Sequence, residues 1–230
     1  MHCTPLGDRA LLVTLGETID DATHQRVRAA LLRLDAAAIA GVTDLVPTFT
    51  SVAIHYDPAL LAADDRTSPY TCLVTEVEGL LAELREDALP ESPVVEIPVC
   101  YGGDLGPDLD ELALRHGLLE TDVVTLHSGP EYRVHMIGFM PGFAYLGGLP
   151  DVLATPRRDT PRTTVPAGSV GIGGQQTGVY PMESPGGWHL IGRTPLRLFD
   201  PAREPASLLA AGDRVRFRAI DSAEYRELAP

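Results

Sequence analysis

The chain has 230 residues, of which 44% are hydrophobic, and its formal net charge at pH 7 is −14. It contains no lysine, so all 18 basic residues are arginine; this excludes a Walker A phosphate loop, a lysine Schiff base and a lysine-attached biotin on this chain. The acidic balance also argues against a nucleic-acid ligand, because binding a phosphate backbone needs clustered cations.

Strand and helix patterns alternate in the first 90 residues. An apolar run predicts a strand over Ala10–Leu15, and apolar residues at helical spacing predict a helix from Asp20 or Asp21 to about Ile39. Three further elements are predicted, two strands and a helix: Val42–Phe49, Val52–Tyr56 and Thr71–Ala88. This β-α-β-β-α order is most of a ferredoxin-like unit, and Val94–Val99 either completes it or belongs to the next domain.

The segment Leu89–Pro93 contains two prolines and marks the predicted domain boundary. We therefore predict an N-terminal α+β domain over residues 1–90 and a second domain over residues 91–230. Two helices and two strands are predicted near the ends of the second domain: 106–117, 121–127, Glu131–Ile137 and Gly212–Ile220.

Turn-forming residues dominate the stretch from His135 to Asp200, which holds more than half of the chain's 22 glycines. Glycine and proline disfavour long helices, and the short apolar runs between them have the spacing of strands in a barrel or sandwich. These runs are Ser169–Ile172, Gly178–Tyr180, Trp188–Ile191 and Leu196–Phe199. We therefore expect closed or sandwiched β structure in the second domain.

Charge also separates this stretch from the rest of the chain. Its arginines exceed its acidic residues by one, in a chain whose net charge is −14. The arginines are Arg157, Arg158, Arg162, Arg193 and Arg197. Local cationic charge on an acidic protein indicates an anionic ligand or an acidic partner surface. The alternative is that each arginine pairs with a nearby carboxylate and serves solubility.

Several polar side chains of this stretch are candidates for substrate binding. A guanidinium group can hold a carboxylate or phosphate bidentately, and neutral amide or hydroxyl donors suit a carbonyl or a developing oxyanion. The candidates are Arg157, Arg162, Gln176, Thr177, Tyr180, His189 and Arg193. Gln176, Tyr180 and His189 are also the candidates for catalysis, and His189 either transfers a proton or orients the substrate.

Other glycine-rich and histidine-containing segments do not have the residue spacing of known catalytic, nucleotide-binding or metal-binding motifs. The turn Gly168–Gly171 is not a G-x-S-x-G nucleophile elbow, and Gly171–Gly174 is not a dinucleotide fingerprint. The histidines have no HxH or HExxH spacing, so no metal site is predicted. The apolar runs are shorter than the ~20 residues that span a bilayer, and the first residues lack a signal-peptide layout. We therefore expect a cytoplasmic protein.

Three segments of the glycine-rich stretch carry a specific resemblance: GFMPGFAYLGGLP, TPRRDTPRTTVPAGSVGIGGQQTGVYP and SPGGWHLIGRTPLRLFD. They resemble the family of 5-oxoprolinase B subunits, which also contains the sporulation kinase A inhibitor KipI and proteins known as allophanate hydrolase subunit 1. Weaker resemblance in GDRALLVTLG, GVTDLVPTFTSVAIHYDP and IPVCYGGDLGPDL extends it over nearly the whole chain. The family motif often has glutamine where this chain has His189.

The resemblance implies a cyclophilin-like β-barrel for the second domain. It also implies ATP-dependent opening of 5-oxoproline to glutamate by a complex in which this chain is inactive alone. The implied partners are the other 5-oxoprolinase subunits: a carboxyltransferase half of the C type and a protein of the A type, with Mg-ATP at a site shared with or held by a partner. Two alternatives remain: a subunit of an allophanate hydrolase or urea carboxylase-type carboxyltransferase, and a non-enzymatic inhibitor of a sensor histidine kinase.

Aromatic residues beside glycines have the composition of a packed subunit interface. The predicted interface residues are Phe139, Phe143, Tyr145 and Trp188. The alternative is that these side chains fill the barrel.

Overall fold

The computed structural model describes residues 1–61, 67–84, 92 and 94–229. The chain divides into two compact units, Met1–Glu91 and Ser92–Pro230. Apart from Ser92, the predicted boundary segment Leu89–Pro93 lies outside the described residues, as do residues 85–88 of the predicted second helix.

The first unit is an antiparallel sheet with two helices. Its elements are β1 (His2–Pro5), β2 (Ala10–Thr14), α1 (Asp21–Ala37), β3 (Val42–Pro47), β4 (Ser51–Tyr56) and α2 (Pro69–Leu81). The strand order is β1-β2-β4-β3, and every neighbouring pair is antiparallel. This is the ferredoxin-like order, except that the unpredicted strand β1 takes the edge position that the strand after the second helix normally fills.

The core of this unit lies between the sheet and the helices. Leu11 and Ile54 from the sheet pack with Val27, Leu34 and other apolar residues of α1 and α2. Helix α1 begins where predicted, because the Oδ1 atom of Asp20 accepts a hydrogen bond from the N–H of Thr23 (2.7 Å).

Helix α2 is shorter than predicted. It ends at Leu81, whereas the sequence pattern extended it to Ala88. Leu73, Val77 and Leu81 are its buried residues, and the next residues, Ala82 and Glu83, are exposed. Leu84 still packs against the core, but it does so outside the helix.

The second unit is a closed barrel with helices on the outside and two further short strands. Its elements are β5 (Val94–Tyr101), α3 (Leu109–His116), α4 (Glu120–Ser128), β6 (Glu131–Ile137), β7 (Ala144–Gly147), β8 (Arg162–Val165), β9 (Ser169–Gly173), β10 (Gln176–Val179), β11 (Ser184–Gly186), β12 (His189–Arg193), β13 (Arg214–Ile220) and α5 (Ser222–Leu228). The barrel order is β10-β7-β6-β13-β5-β12-β9, and β8 pairs with β11 in a separate small sheet.

The barrel confirms the predicted α+β fold class and assigns the ambiguous strand. Val94–Val99 lies in β5, which pairs in parallel with β13 and antiparallel with β12, so it belongs to the barrel. The predicted strand Leu196–Phe199 is wrong: Phe199 makes only an isolated bridge to Ser207. Apolar side chains from all seven strands, α3 and α4 form one core cluster.

Two tight turns build the loop between β6 and β7. The N–H of Met140 donates to the carbonyl of Gly138 (2.7 Å), which places Phe139 in a γ-turn with φ 68°. The N–H of Phe143 then donates to the carbonyl of Met140 (3.1 Å) across Pro141 and Gly142, the residue pair of a type II turn. The result is a fixed loop tip that leaves Phe139 63% exposed.

Candidate functional site

A buried carboxylate joins helix α3 to strand β12. Asp108 directly precedes α3 and is 3% exposed. Its N–H donates to the carbonyl of Leu190 (2.9 Å), and its Oδ2 atom accepts from the N–H of Leu190 (2.7 Å). The side chain therefore does not cap its own helix but is held against the strand.

Two guanidinium groups share the other oxygen of this carboxylate. The Oδ1 atom of Asp108 accepts from Nη2 of Arg162 (2.6 Å) and from Nη1 of Arg158 (3.1 Å). The same Nη1 atom lies 3.9 Å from Oε2 of Glu111. Because removing charges from water is expensive, two cations on one buried anion need a further anion, and Glu111 supplies one beside Arg158.

Backbone hydrogen bonds hold both arginines in place. Arg162 begins β8 and is paired in register with Gly186 of β11. The N–H of Arg158 donates to the carbonyl of Gly187 (2.8 Å). The segment that carries these arginines is thus fixed to the chain just before β12.

His189 is the first residue of β12 and is 3% exposed. Its Nε2 atom lies 3.0 Å from the carbonyl oxygen of Pro156. A carbonyl only accepts hydrogen bonds, so Nε2 carries a proton. His116 is nearby, and its pKa is lowered by burial, by Arg115 and by His189.

A cavity of about 300 Å³ opens between α3 and the segment before β8. Its walls include Glu111, Arg115, Arg157, Arg158, Asp159 and His189. The volume is at the lower end for small-molecule sites, and a few polar groups in such a cavity are what orients a ligand.

Three buried nitrogen atoms in this region have no hydrogen-bond partner: Nε of Arg158, Nη1 of Arg162 and Nδ1 of His189. An unpaired buried polar atom costs about 1–3 kcal/mol. Two of these atoms belong to guanidinium groups, whose N–H donors suit a carboxylate or phosphate.

The structure brings only part of the predicted binding set together. Arg157 and His189 line the cavity, and Arg162 adjoins it through Asp108. Arg193 lies at the other end of β12, where its Nε atom donates to the carbonyl of Ala167 (2.7 Å). Gln176 begins β10 and is half-buried, and its Nε2 atom has no partner.

Thr177 is in the barrel interior, where its hydroxyl group is fully used. It donates to the carbonyl of Gly171 (3.0 Å) and therefore accepts from Nε2 of His127 (2.8 Å). Nδ1 of His127 in turn accepts from the hydroxyl of Tyr101 (2.8 Å). Burial lowers the pKa of His127 to about 3, so this chain of hydrogen bonds is uncharged.

Tyr180 belongs to a second apolar cluster, with Phe143, Val165, Trp188 and Leu190. It is 2% exposed, and burial raises the pKa of its hydroxyl, partly offset by a hydrogen bond from the backbone of Trp188.

The predicted interface residues divide into two kinds. Phe143 and Trp188 are buried within the chain, and Phe143 contacts Tyr145, Tyr180 and Trp188 in edge-on geometry at 4.8–5.5 Å. Tyr145 is half-buried. Phe139, whose ring packs edge-on against Phe143 at 5.5 Å, is the one of the four that is largely exposed.

Sequence reasoning missed Asp108 as a site residue, and with it the pairing role of Arg158. Asp108 looks like an ordinary acid at the start of a helix. Its partners are 50, 54 and 82 residues away, beyond the reach of any local pattern. The only signal was its place in the segment IPVCYGGDLGPDL, which carries the weaker family resemblance.

Within the described part of the chain, no group of three or more His, Cys, Asp or Glu side chains is placed to hold a metal ion. None of the described helices is long and apolar enough to cross a membrane.

Comparison with known proteins places this architecture in a class. The family described as "Carboxyltransferase domain, subdomain C and D" matches residues 1–209. The crystal structure of TTHA0988 superposes with a TM-score of 0.78 at 38% identity and covers 93% of this chain. The match spans 40% of the TTHA0988 chain. The closed barrel and the match to the family model together define a carboxyltransferase-type protein.

Two curated relatives narrow the class. A Bacillus subtilis (strain 168) protein, named as the B subunit of 5-oxoprolinase, is 44% identical over 223 residues, covering 96% of this chain and 93% of that protein. A protein of the same name from Escherichia coli O157:H7 is 45% identical over 219 residues, covering 94% of each. The chain belongs to the family of 5-oxoprolinase B subunits.

Proposed function

We propose that this chain is the B subunit of a cytoplasmic, ATP-dependent 5-oxoprolinase that opens 5-oxo-L-proline to L-glutamate. The observation that carries the proposal is the identity of 44% and 45%, over nearly the full length, with two proteins named as 5-oxoprolinase B subunits. The arginine-lined cavity beside His189 supports it, because the substrate is a small carboxylate.

The chemistry accounts for the arrangement of donors. A lactam resists hydrolysis, and ATP, when bound, supplies the phosphoryl group that makes its carbonyl carbon a better electrophile. This chain's contribution is to hold the substrate: Arg157 and Arg158 attract its carboxylate, and Asp108 keeps Arg158 and Arg162 in position. In this proposal Mg-ATP lies at a site shared with, or held by, a partner subunit.

We propose that the remaining parts come from the other 5-oxoprolinase subunits, a carboxyltransferase half of the C type and a protein of the A type. The family match comprises subdomains C and D of a carboxyltransferase domain. In TTHA0988 the matching region is 40% of a longer chain. A site completed by a partner is consistent with both observations.

The test is reconstitution. The chain is co-purified with the products of its neighbouring genes, and glutamate release from 5-oxoproline is measured with and without ATP. We expect ATP-dependent release by the complex. Release of ammonia from allophanate or urea instead, or inhibition of a sensor histidine kinase without turnover, would replace this proposal with one of the alternatives.

A further inference from the structure

A groove of about 600 Å³ lies between the C-terminal end of α1 and the edge strand β3, in the unit that supplies no residue to the candidate site. We call it the α1–β3 groove. Its wall is mainly apolar and includes Leu31, Leu32, Ile39, Val42 and Leu45. Leu32 is 45% exposed, although an apolar side chain gains free energy when it leaves water. The groove therefore has the size and the lining of a binding surface.

The rim of the α1–β3 groove is acidic. Asp35 and Asp44 are exposed residues of its wall, and among the described residues no basic side chain lines it. Arg33 belongs to the same turn of α1 but is directed toward α2, where its Nε atom donates to the carbonyl of Leu80 (2.5 Å). Helix α1 has no basic residue in its last turn, so the negative end of its dipole adds to the acidic rim. The groove thus attracts a cation.

The open edge of β3 cannot take up another strand. The N–H of Thr48 donates to the carbonyl of Ser51 across the β3–β4 hairpin (2.8 Å), so alternation along β3 directs the backbone of Leu45 and Pro47 away from β4. The N–H of Leu45 is already bound by the Oδ1 atom of Asp44 (2.8 Å), and proline has no N–H. Blocked donors of this kind keep an edge strand from pairing. A ligand of the groove must therefore bring side chains and not a backbone ladder.

We infer that the α1–β3 groove receives an amphipathic helix of a partner protein, whose apolar stripe packs on Leu32 and Leu45 and whose flanking arginine or lysine residues face Asp35 and Asp44. A helix satisfies its own backbone hydrogen bonds, so the blocked edge of β3 does not hinder it. Long basic side chains can reach the carboxylates while their aliphatic stems stay on the apolar wall. The inference concerns a surface that the proposed function does not use and does not depend on that function.

The test uses two synthetic peptides of about 18 residues, long enough to be helical in water. Both carry leucines at i, i+3, i+4 and i+7, and the flanking positions are arginine in one peptide and glutamate in the other. Each peptide is titrated at low salt into the ¹⁵N-labelled full chain, and backbone NMR shifts locate the binding. We expect the basic helix to bind about tenfold more tightly than the acidic one, with the largest shifts between Asp35 and Leu45. Added salt should weaken this binding.

Matched variants assign the binding to the groove. Asp35→Asn with Asp44→Asn removes both rim charges but keeps a side-chain oxygen that can accept from the N–H of Leu45. This double variant should weaken the basic helix about tenfold. Glu76→Gln with Glu78→Gln removes two exposed charges of α2 outside the groove and should weaken it less than about twofold, because those charges are screened.

Leu32→Ser tests the apolar part of the surface. It leaves the charge unchanged and should weaken the basic helix about threefold or more. Thermal melts check that each variant is folded. Equal binding of the two helices, shifts outside the groove, or tighter binding of a peptide in which leucine and arginine alternate as in a strand would overturn the inference. Groove shifts on concentrating the chain without peptide would also overturn it, since they would identify a second copy of the chain as the occupant.

Discussion

Asp108 keeps a cationic partner when either of its arginines is removed, which makes the arginines testable without unfolding the barrel. Arg162→Ala leaves Arg158 at 3.1 Å from the Oδ1 atom but lowers the positive charge at the site. We expect it to raise the KM of the reconstituted complex for 5-oxoproline at least tenfold, about 1.4 kcal/mol. Arg197→Ala is the control. An unchanged KM would reduce Arg162 to a structural role.

His127 gives the barrel a pH dependence of known sign. Its pKa is about 3 in the folded protein against 6.5 ordinarily, so between these values the unfolded chain binds a proton that the folded protein does not. His127 therefore contributes its full share of the free energy of unfolding above pH 6.5, and this contribution decreases as the pH falls below that value. Between pH 7 and pH 5 the loss is about 2 kcal/mol.

Urea unfolding of wild type and His127→Gln at the two pH values measures this loss. Glutamine offers a donor and an acceptor but does not titrate. Trp188 is the chain's one tryptophan and lies in the barrel unit, so its fluorescence reports that unit. The wild type should lose about 2 kcal/mol more than the variant on acidification. Equal losses would mean that His127 is protonated in the folded protein.

Two phenylalanines of the β6–β7 loop allow folding and subunit assembly to be tested independently. Phe143 is 2% exposed and contacts four aromatic rings, so Phe143→Ala should destabilise the barrel by roughly 3–5 kcal/mol. Phe139 is 63% exposed, and Phe139→Asp should leave the melting temperature nearly unchanged while weakening co-purification with the partner subunits. Normal assembly of Phe139→Asp would remove this residue from the interface.

The elements also show what the sequence can predict. Helix α1 follows from its apolar spacing, α3 from its capping residues and β13 from its alternation, and α4, β4 and β6 are also predicted. Strands β7, β8 and β11 have only three or four residues and were not predicted. The site depends on contacts across 50 or more residues, such as Arg158 with Asp108, and no local pattern encodes these.

For the whole molecule, we expect the isolated chain to release no glutamate from 5-oxoproline and ATP, and addition of the partner subunits to restore release. The chain has no lysine for a phosphate loop, and its family match is confined to two subdomains of a carboxyltransferase domain. A permanent interface of ~2,000 Å² or more should keep the complex together in gel filtration at micromolar concentration. Full activity of the chain alone would contradict the need for partners.

The parallel pairing of β5 with β13 sets the order in which a ribosome can complete the two units. β13 lies between β5 and β6 in the barrel, yet it is the last strand made, ending at Ile220. At a synthesis rate of 5–20 residues per second, roughly 10 s pass between the synthesis of β5 and that of β13, the strand that closes the barrel. The described strands of the first unit end at Tyr56 and its second helix at Leu81, so this unit can fold before β13 is made. A stop codon before Arg214 would therefore yield a folded first unit attached to an open, aggregation-prone sheet.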